Sequence, residues 1–283
     1  VTILAIQSQV VYGHVGNSAA VFALQRLGHE VMAVPTTLLA HHPGHGKPRG
    51  RVLPAQEVTD LIEGIEGIGL FRGLLAVTSG YIGDPNSAWA VAGAVATAKG
   101  ANPLATYLCD PVLGDKHTGL YVPRELIQGF AARLLPAADL ATPNQFECER
   151  LTGRVISDLA SALAAADALR AMGPGVAVIT SLQRTDTPED RVETLAVGPE
   201  GAFLVATPLL AEAPHGTGDL FSALFLAHWL KSRDPRFAVA RAVSSVYGIL
   251  LTTADLGMNE MALIAAQDEL VAPSRRFEAD RVR

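Results

Sequence analysis

The segment Gly216-Thr217-Gly218-Asp219 stands directly before the apolar run Leu220, Phe221, Ala223, Leu224 and Phe225. Two glycines permit close backbone approach, and the helix start that the apolar run predicts offers unpaired N–H groups and a positive dipole end to an anion. A carboxylate in that first turn, Asp219, could accept a proton from an alcohol while the neighbouring amides stabilise charge on a transferred phosphoryl group. The same residues also read as an ordinary helix start, with Asp219 only capping the helix or complementing its dipole. On these four residues alone the two readings are evenly matched.

A second group follows two other apolar runs. Asp110-Pro111-Val112-Leu113-Gly114-Asp115 comes after one, and Thr142-Pro143-Asn144-Gln145-Phe146-Glu147 after the next. The three carboxylates and Thr142 suit a hard cation held by oxygen, with phosphate oxygens completing its shell, and magnesium is the natural choice. Taken singly, Asp110 and Asn144 read better as caps of turns or helices before prolines and loops. Beside a phosphate-type helix start, the cation reading prevails.

Other signals narrow the field. No Gly-x-x-x-x-Gly-Lys-Ser/Thr segment occurs, nor a Gly-rich loop paired with His-Arg-Asp, so the P-loop and protein-kinase fingerprints are both absent. Gly13-His14-Val15-Gly16-Asn17 opens a helix after the first strand but lacks the complete dinucleotide fingerprint. His41, His42 and His45 share a segment with Pro43, Gly44, Gly46 and Pro48 and have no carboxylate close in sequence. That suits a substrate-covering loop, or a plain solvated one, better than a zinc site. Cys109 and Cys148 adjoin Asp110 and Glu147 and read as small buried side chains rather than catalytic thiols. Tyr12, Tyr81 and Tyr121 fall in the same loops, where they either stack on a flat ring or pack the loop bases.

The elements that must position these residues alternate between short apolar runs and Ala/Leu-rich stretches of helical length, the pattern of a mostly parallel sheet with crossover helices. Strands are predicted at Thr2–Ile6, Val31–Val34, Leu74–Thr78, Ala105–Cys109, Leu140–Thr142, Ala177–Thr180, Thr194–Val197 and Phe203–Ala206. Helices are predicted at Gly16–Gly28, Ala55–Gly67, Asn86–Lys99, Pro123–Leu135, Gln145–Leu151, Asp158–Met172, Gly218–Lys231, Arg236–Asp255 and Met258–Leu270. His41–Arg51 and Gln183–Arg191 read as loops at one end of the sheet. Ligands of such a sheet bind beyond the carboxyl ends of its strands. That rule selects Gln7–Asn17, Ser79–Asp84, Asp110–Gly119, Pro143–Glu147, Thr180–Gln183 and Ala213–Asp219.

Composition sets the outer bounds. At 283 residues with no linker and no repeat, the expectation is one domain over 1–283. An apolar share of 49% leaves enough side chains to bury a sheet on both faces and excludes disorder. A net charge of -6 lacks the basic excess that would neutralise a nucleic-acid backbone or an anionic membrane, so neither partner is expected. Two cysteines are too few for a disulfide framework and fit a reducing compartment, the cytoplasm. The Val1–Ile6 run has no basic region before it and is broken by Gln7, Ser8 and Gln9, so no signal peptide is expected. No stretch approaches the ~20 uninterrupted apolar residues of a membrane span.

Taken together, Ser8 to Asn17, Ser79-Gly80-Tyr81, Asp110 to Asp115, Thr142 to Glu147, Thr180-Ser181 and Gly216 to Asp219 resemble, in the same order and from Thr2 to about Pro273, the pyridoxal kinases of the ribokinase-like superfamily. Gly-Thr-Gly-Asp alone marks the superfamily, whereas Ser8–Asn17 and Thr142–Glu147 point to the pyridoxal kinases. The resemblance implies a three-layer α/β/α fold with a central, mostly parallel sheet, helices on both faces and no separate lid domain. It implies transfer of the ATP γ-phosphoryl group to the 5′-hydroxymethyl of pyridoxal, giving pyridoxal 5′-phosphate in vitamin B6 salvage. Asp219 would be the general base, and the amides of Gly216, Thr217 and Gly218 the anion hole. Asp115 and Glu147 would hold magnesium, largely through water; Asp110, Thr142 and Thr180 would lie beside ATP phosphates and a monovalent cation, usually potassium. Ser8, Val15, His42, Pro43, Gly44 and Tyr81 would line the substrate pocket together with Asp219. Asn144, Ser181 and Glu212, Ala213, Pro214 and His215 would border the nucleotide. The family also implies a homodimer.

Two departures bear on the substrate. The family commonly has Asn-His-Thr where this chain has His41-His42-Pro43, and Pro43 cannot supply the threonine hydroxyl; the first motif reads Ser8-Gln9 rather than the frequent Ser-His. The nearest competing reading is a hydroxymethylpyrimidine kinase, many of which carry a Gly-rich segment after the first strand and Cys in the base position, unlike Gln7–Asn17 and Asp219. A ribokinase-type sugar kinase would need an inserted β-rich lid. A non-catalytic pyridoxal phosphate carrier would need no proton acceptor at Asp219.

Overall fold

The computed structural model describes residues 2–210 and 213–283. In chain order the elements are β1 (Thr2–Val10), α1 (Asn17–Arg26), β2 (Glu30–Leu39), β3 (Gly50–Val52), α2 (Ala55–Gly67), β4 (Leu74–Ser79), α3 (Ser87–Ala101), β5 (Thr106–Cys109), β6 (Gly114–Asp115), β7 (Gly119–Leu120), α4 (Arg124–Gly129), β8 (Leu140–Ala141), α5 (Gln145–Thr152), α6 (Leu159–Arg170), β9 (Val176–Leu182), β10 (Arg191–Gly198), β11 (Gly201–Pro208), α7 (Thr217–Ser232), α8 (Pro235–Asp255), α9 (Gln267–Val271) and β12 (Asp280–Arg281). Ten strands form one sheet in the order β12-β11-β10-β9-β8-β5-β4-β1-β2-β3, and β6 pairs with β7 as a separate hairpin. The run from β2 through β9 is parallel; β10 to β12 continue it antiparallel at one edge, and β3 closes the other edge antiparallel to β2.

Period-two alternation splits the strands between two cores, because successive side chains of a strand point to opposite faces. Leu4, Ile6, Val77, Tyr107, Cys109, Ala177 and Ile179 join the core on the side of α2, α3 and α6. Ile3, Leu108, Leu140, Val176 and Val178 join the core on the side of α1, α7 and α8. The result is the expected three-layer arrangement, and among the described residues no β-rich lid is inserted in it. Helix α8 has the length and hydropathy of a membrane span, but most of it is buried, packing on α7 and on strands β10 and β11.

Several expectations need correction. The helix predicted over Met258–Leu270 is only α9, Gln267–Val271. Met258–Ala266 is irregular because its polar and apolar residues are both drawn inward: the Ala262 N–H donates to Thr253 Oγ1, and Glu260, Met261 and Leu263 are all buried. The helix predicted over Pro123–Leu135 changes its winding after α4, with a π-helical turn at Phe130–Leu134 and a 3₁₀ turn at Leu135–Ala137. Strand β2 runs five residues past the predicted Val34 and β1 four past Ile6, since buried threonines and Gln7 continue the ladder where hydropathy fades. The predicted His41–Arg51 loop ends in β3, whose residues are exposed and so carry no apolar signal. The short strands β6, β7 and β12 likewise lie outside the predicted set.

Candidate active site

Helix α7 begins at Gly216, whose φ of +87° only glycine adopts readily and where a Cβ would fall 1.9 Å from the His14 carbonyl oxygen. The Tyr12–Gly16 segment is thus pressed onto the helix start. Thr217 donates its hydroxyl to the Pro214 carbonyl at 2.7 Å, and a Cβ on Gly218 would meet open space, so the backbone there faces outward. Asp219 does not cap α7: the N-cap is Gly216, with no side-chain cap, and Asp219 Oδ2 instead accepts the Gly16 N–H at 2.8 Å. Burial pushes the Asp219 carboxyl up to about 6, against the Gly16 hydrogen bond, which pulls it down.

One turn further along α7, Ser222 donates to Asp110 Oδ2 at 2.9 Å and lies 2.8 Å from Thr142 Oγ1. Asp110, Thr142 and Ser222 are all buried. Asp110 is pushed well above the usual carboxylate range, first by burial and then by the charges of Glu147 and Asp219. Glu147 is 4% exposed. Its Oε1 accepts N–H groups of Leu113 at 2.8 Å and Gly114 at 3.3 Å, and its Oε2 accepts that of Asn144 at 2.9 Å. Asn144 returns the capping box to the Glu147 N–H at 2.9 Å and ties Gly114 O through its amide at 2.8 Å. The capping box is therefore complete, and yet burial still raises Glu147 to about 7, the three N–H groups opposing and Asp219 adding to the rise.

Asp115 sits in the β6–β7 hairpin, where Oδ1 accepts the N–H groups of His117 and Thr118, each at 2.7 Å, and Oδ2 accepts the Tyr121 hydroxyl. Burial works to raise its carboxyl, but these donors outweigh it and hold the group below its ordinary value. Across the sheet, Thr180 bridges Asn144 and donates its N–H to Pro143 O at 2.9 Å. Ser181 adopts φ +51°, rare for a side chain other than Gly or Asn, at a register shift where Leu182 pairs Glu193 but Ile179 pairs Leu195. Arg184 holds that bulge by a two-pronged pairing with Glu193, both contacts at 2.8 Å.

On the other side of Asp219, Ser8 lies on β1 where the register with β2 shifts, and a Cβ on Gly16 would fall 2.5 Å from Ser8 Oγ. Val15 is buried beside it in sequence, and Tyr81 follows β4 with its carbonyl accepting the Thr36 hydroxyl at 2.6 Å. His42, Pro43 and Gly44 form a short turn: His42 Nδ1 accepts the Gly44 N–H at 3.0 Å, and its ring lies 3.9 Å from that of His215, next to Gly216. Burial, then the neighbouring His215, lowers the His42 imidazole to about 4. His42 and His215 thus connect the two sides. Ala213 is exposed and Pro214 half-buried; Glu212 lies outside the described residues.

Among the described residues no ion pair involves Asp110, Glu147 or Asp219. Nor do three His, Cys, Asp or Glu side chains converge there as a ready metal cage. Carboxylates that press on one another without a basic partner fit cations held through water and phosphate oxygens, rather than by an all-protein shell. Sequence reading missed two residues. Ser222 was legible only as the position three after Asp219 on one helix face, and Glu260 was hidden inside a helix prediction. Cys109 and Cys148 are buried, and burial first among the causes pushes both thiols up to about 12.

The sequence model of the phosphomethylpyrimidine kinase family matches residues 16–263. Pyridoxal kinase PdxY of Rubrobacter xylanophilus is 48% identical over 281 residues, covering 99% of this chain and 97% of its own. That of Deinococcus radiodurans is 46% identical, covering 99% and 96%. The pyridoxal kinase of Leishmania donovani in complex with ADP and pyridoxamine superposes with a TM-score of 0.92 at 30% identity, covering 100% of this chain and 99% of that one.

Proposed function

The chain belongs to the phosphomethylpyrimidine kinase family and, within it, to the pyridoxal kinases, ATP-dependent phosphotransferases, and we propose that it acts with Asp219 as the base. The 5′-hydroxymethyl of pyridoxal gives its proton to Asp219 while its oxygen attacks the γ-phosphorus of ATP. The bond between that phosphorus and the β,γ-bridging oxygen breaks, leaving ADP and pyridoxal 5′-phosphate. The observation that carries this is the Asp219 carboxylate at a Gly-rich helix start, received by the Gly16 N–H rather than spent on its own helix. With its carboxyl near 6, it is ionised at neutral pH yet more basic than an ordinary aspartate. The N–H groups of Gly216, Thr217 and Gly218 receive the charge on the moving phosphoryl group.

Asp115 and Glu147 would hold magnesium through water, and Asp110, Thr142 and Thr180 a monovalent cation such as potassium. These cations neutralise phosphate charge and the mutually repelling carboxylates when bound. Asn144, Ser181, Ala213, Pro214 and His215 would border the nucleotide, while Glu212 lies outside the described residues. Ser8, Val15, His42, Pro43, Gly44 and Tyr81 enclose the ring. The protein works as one unit over 1–283, as a homodimer in the cytoplasm, a reading supported by its likeness to the family rather than by any contact described above.

Hydroxymethylpyrimidine remains the second acceptor to test, because the matching family model carries a pyrimidine kinase description. The test is ATP-dependent phosphorylation of pyridoxal, pyridoxine, pyridoxamine and hydroxymethylpyrimidine side by side, with and without potassium. Pyridoxal is expected to lead. Preference for the pyrimidine would move the chain to the second reading, and turnover of none would favour a carrier.

A further inference from the structure

Glu260, in the irregular segment between α8 and α9, is 7% exposed and takes no part in the chemistry above. Its Oε2 accepts the His14 N–H at 2.9 Å, and its Oε1 meets His45 Nε2 at 2.5 Å. Gly13 fits against it at φ +100°, where a Cβ would fall 2.7 Å from Oε2. The carboxylate that the sequence around His45 lacks therefore arrives from 215 residues away.

The two segments that Glu260 holds leave the carboxyl ends of the paired parallel strands β1 and β2, just past the bond that the Tyr12 N–H donates to the Ala40 carbonyl at 2.9 Å. His14 presses its carbonyl on Gly216, and two residues later Gly16 donates to Asp219. His45 belongs to the same turn as His42, whose ring lies against His215. Beyond Ala40, whose backbone bonds to Tyr12 and Arg49, the turn bonds mainly to itself, through Gly44 to His42 and Gly46 to Pro43, so the hold on its tip depends on side chains. Ordering so short a Gly/Pro turn costs conformational entropy that its internal bonds do not offset.

We propose that Glu260 is a positioning residue for the acceptor alcohol, clamping the His41–His45 turn to the Tyr12–Gly16 segment so that the ring pocket closes onto the Asp219 helix start as one piece. The inference rests on the kinase reading and names a residue outside that reading's site. A carboxylate this buried needs both of its partners, and the Tyr12 ring, its centroid 5.8 Å from that of His45, packs edge-on at the same joint.

The test compares Glu260→Gln, His45→Phe and the double variant with wild type, in the intact protein. His45→Phe keeps an aromatic edge for Tyr12 but cannot hydrogen-bond. Each single change should raise KM for pyridoxal about tenfold, the size of one charge-assisted hydrogen bond, while KM for MgATP stays within about twofold and the double variant is no worse than the worse single one. Amide exchange of residues 41–46 without ligand should quicken in step. Unchanged pyridoxal KM and exchange in both single variants, equal rises in both KM values, or additive effects would overturn the proposal. If Glu260→Gln fails to fold, His45→Phe decides alone, because His45 sits on a surface turn. If wild type phosphorylates no alcohol, the kinase reading fails separately, and exchange at 41–46 still decides whether the clamp exists.

Discussion

Asp219→Asn separates the chemistry of the site from its stability, and the two should move in opposite directions. The Asp219 carboxyl stands at about 6 instead of the ordinary 3.8, with burial the first cause. A folded-state value above the unfolded one means that the stability present at low pH is lost as pH rises through the interval between them. That interval amounts to ~3 kcal/mol once the pH is well above 6. The asparagine avoids this loss but weakens the bond from Gly16, at ~1 kcal/mol. Comparing the variant with wild type near pH 8 and again near pH 4.5 cancels that second effect and leaves a change of ~2 kcal/mol, or roughly 4 °C in Tm. Glu147 and Asp110, both pushed up by Asp219, relax in the variant and add to the gain at high pH. The assay is thermal unfolding at the two pH values, in chelator and without nucleotide, beside steady-state turnover of pyridoxal. Turnover should fall by about 10²–10⁴ while nucleotide still binds. Near-normal turnover would remove Asp219 as the base, and a Tm difference equal at both pH values would refute the account of its burial.

Gly216→Ala should abolish turnover even if the fold survives, because the new Cβ would fall 1.9 Å from the His14 carbonyl and the residue needs φ +87°; substantial turnover, measured with native circular dichroism, would show that the helix start is less tightly set. Ser222→Ala leaves Asp110 without its one hydroxyl donor and Thr142 without its neighbour. It should cost ~1–3 kcal/mol of stability and raise the potassium concentration needed for half-maximal turnover. A potassium titration that superposes on wild type would count against the cation role of Asp110 and Thr142.

On the proposed reading, the acidic cluster explains how a chain of net charge -6 can meet a polyanion. No basic patch is needed when the phosphates are received by helix-start amides and by cations that the carboxylates attract. The arrangement puts strain into the free protein, since Asp110, Glu147 and Asp219 each raise or are raised by another of the three. Burying like charges without a partner is costly. On the proposed reading, the same residues that repel one another in the protein alone would supply its affinity for cations and, through them, for MgATP.

How much of this was legible depended on whether a residue's partner lay nearby in sequence. Gly216-Thr217-Gly218-Asp219 announced a helix start, and the helix Ala55–Gly67 was observed with its predicted bounds, because spacing within one element carries that information. The family resemblance supplied the joint assembly of six segments, which no single spacing encodes. What spacing could not show was contact across the fold: that Asp219 would be received by Gly16, 203 residues away, and not by its own helix. The histidine segment illustrates the limit. His41, His42 and His45 looked isolated from any carboxylate, and the Met258–Leu270 stretch looked like a helix from its apolar content. The helix reading failed, and the carboxylate that meets His45 stayed out of view, for one reason: Glu260 leaves the helical path to be buried under His14 and His45. A pattern of hydropathy records which residues avoid water, and a buried glutamate with two donors satisfies that condition without appearing in it.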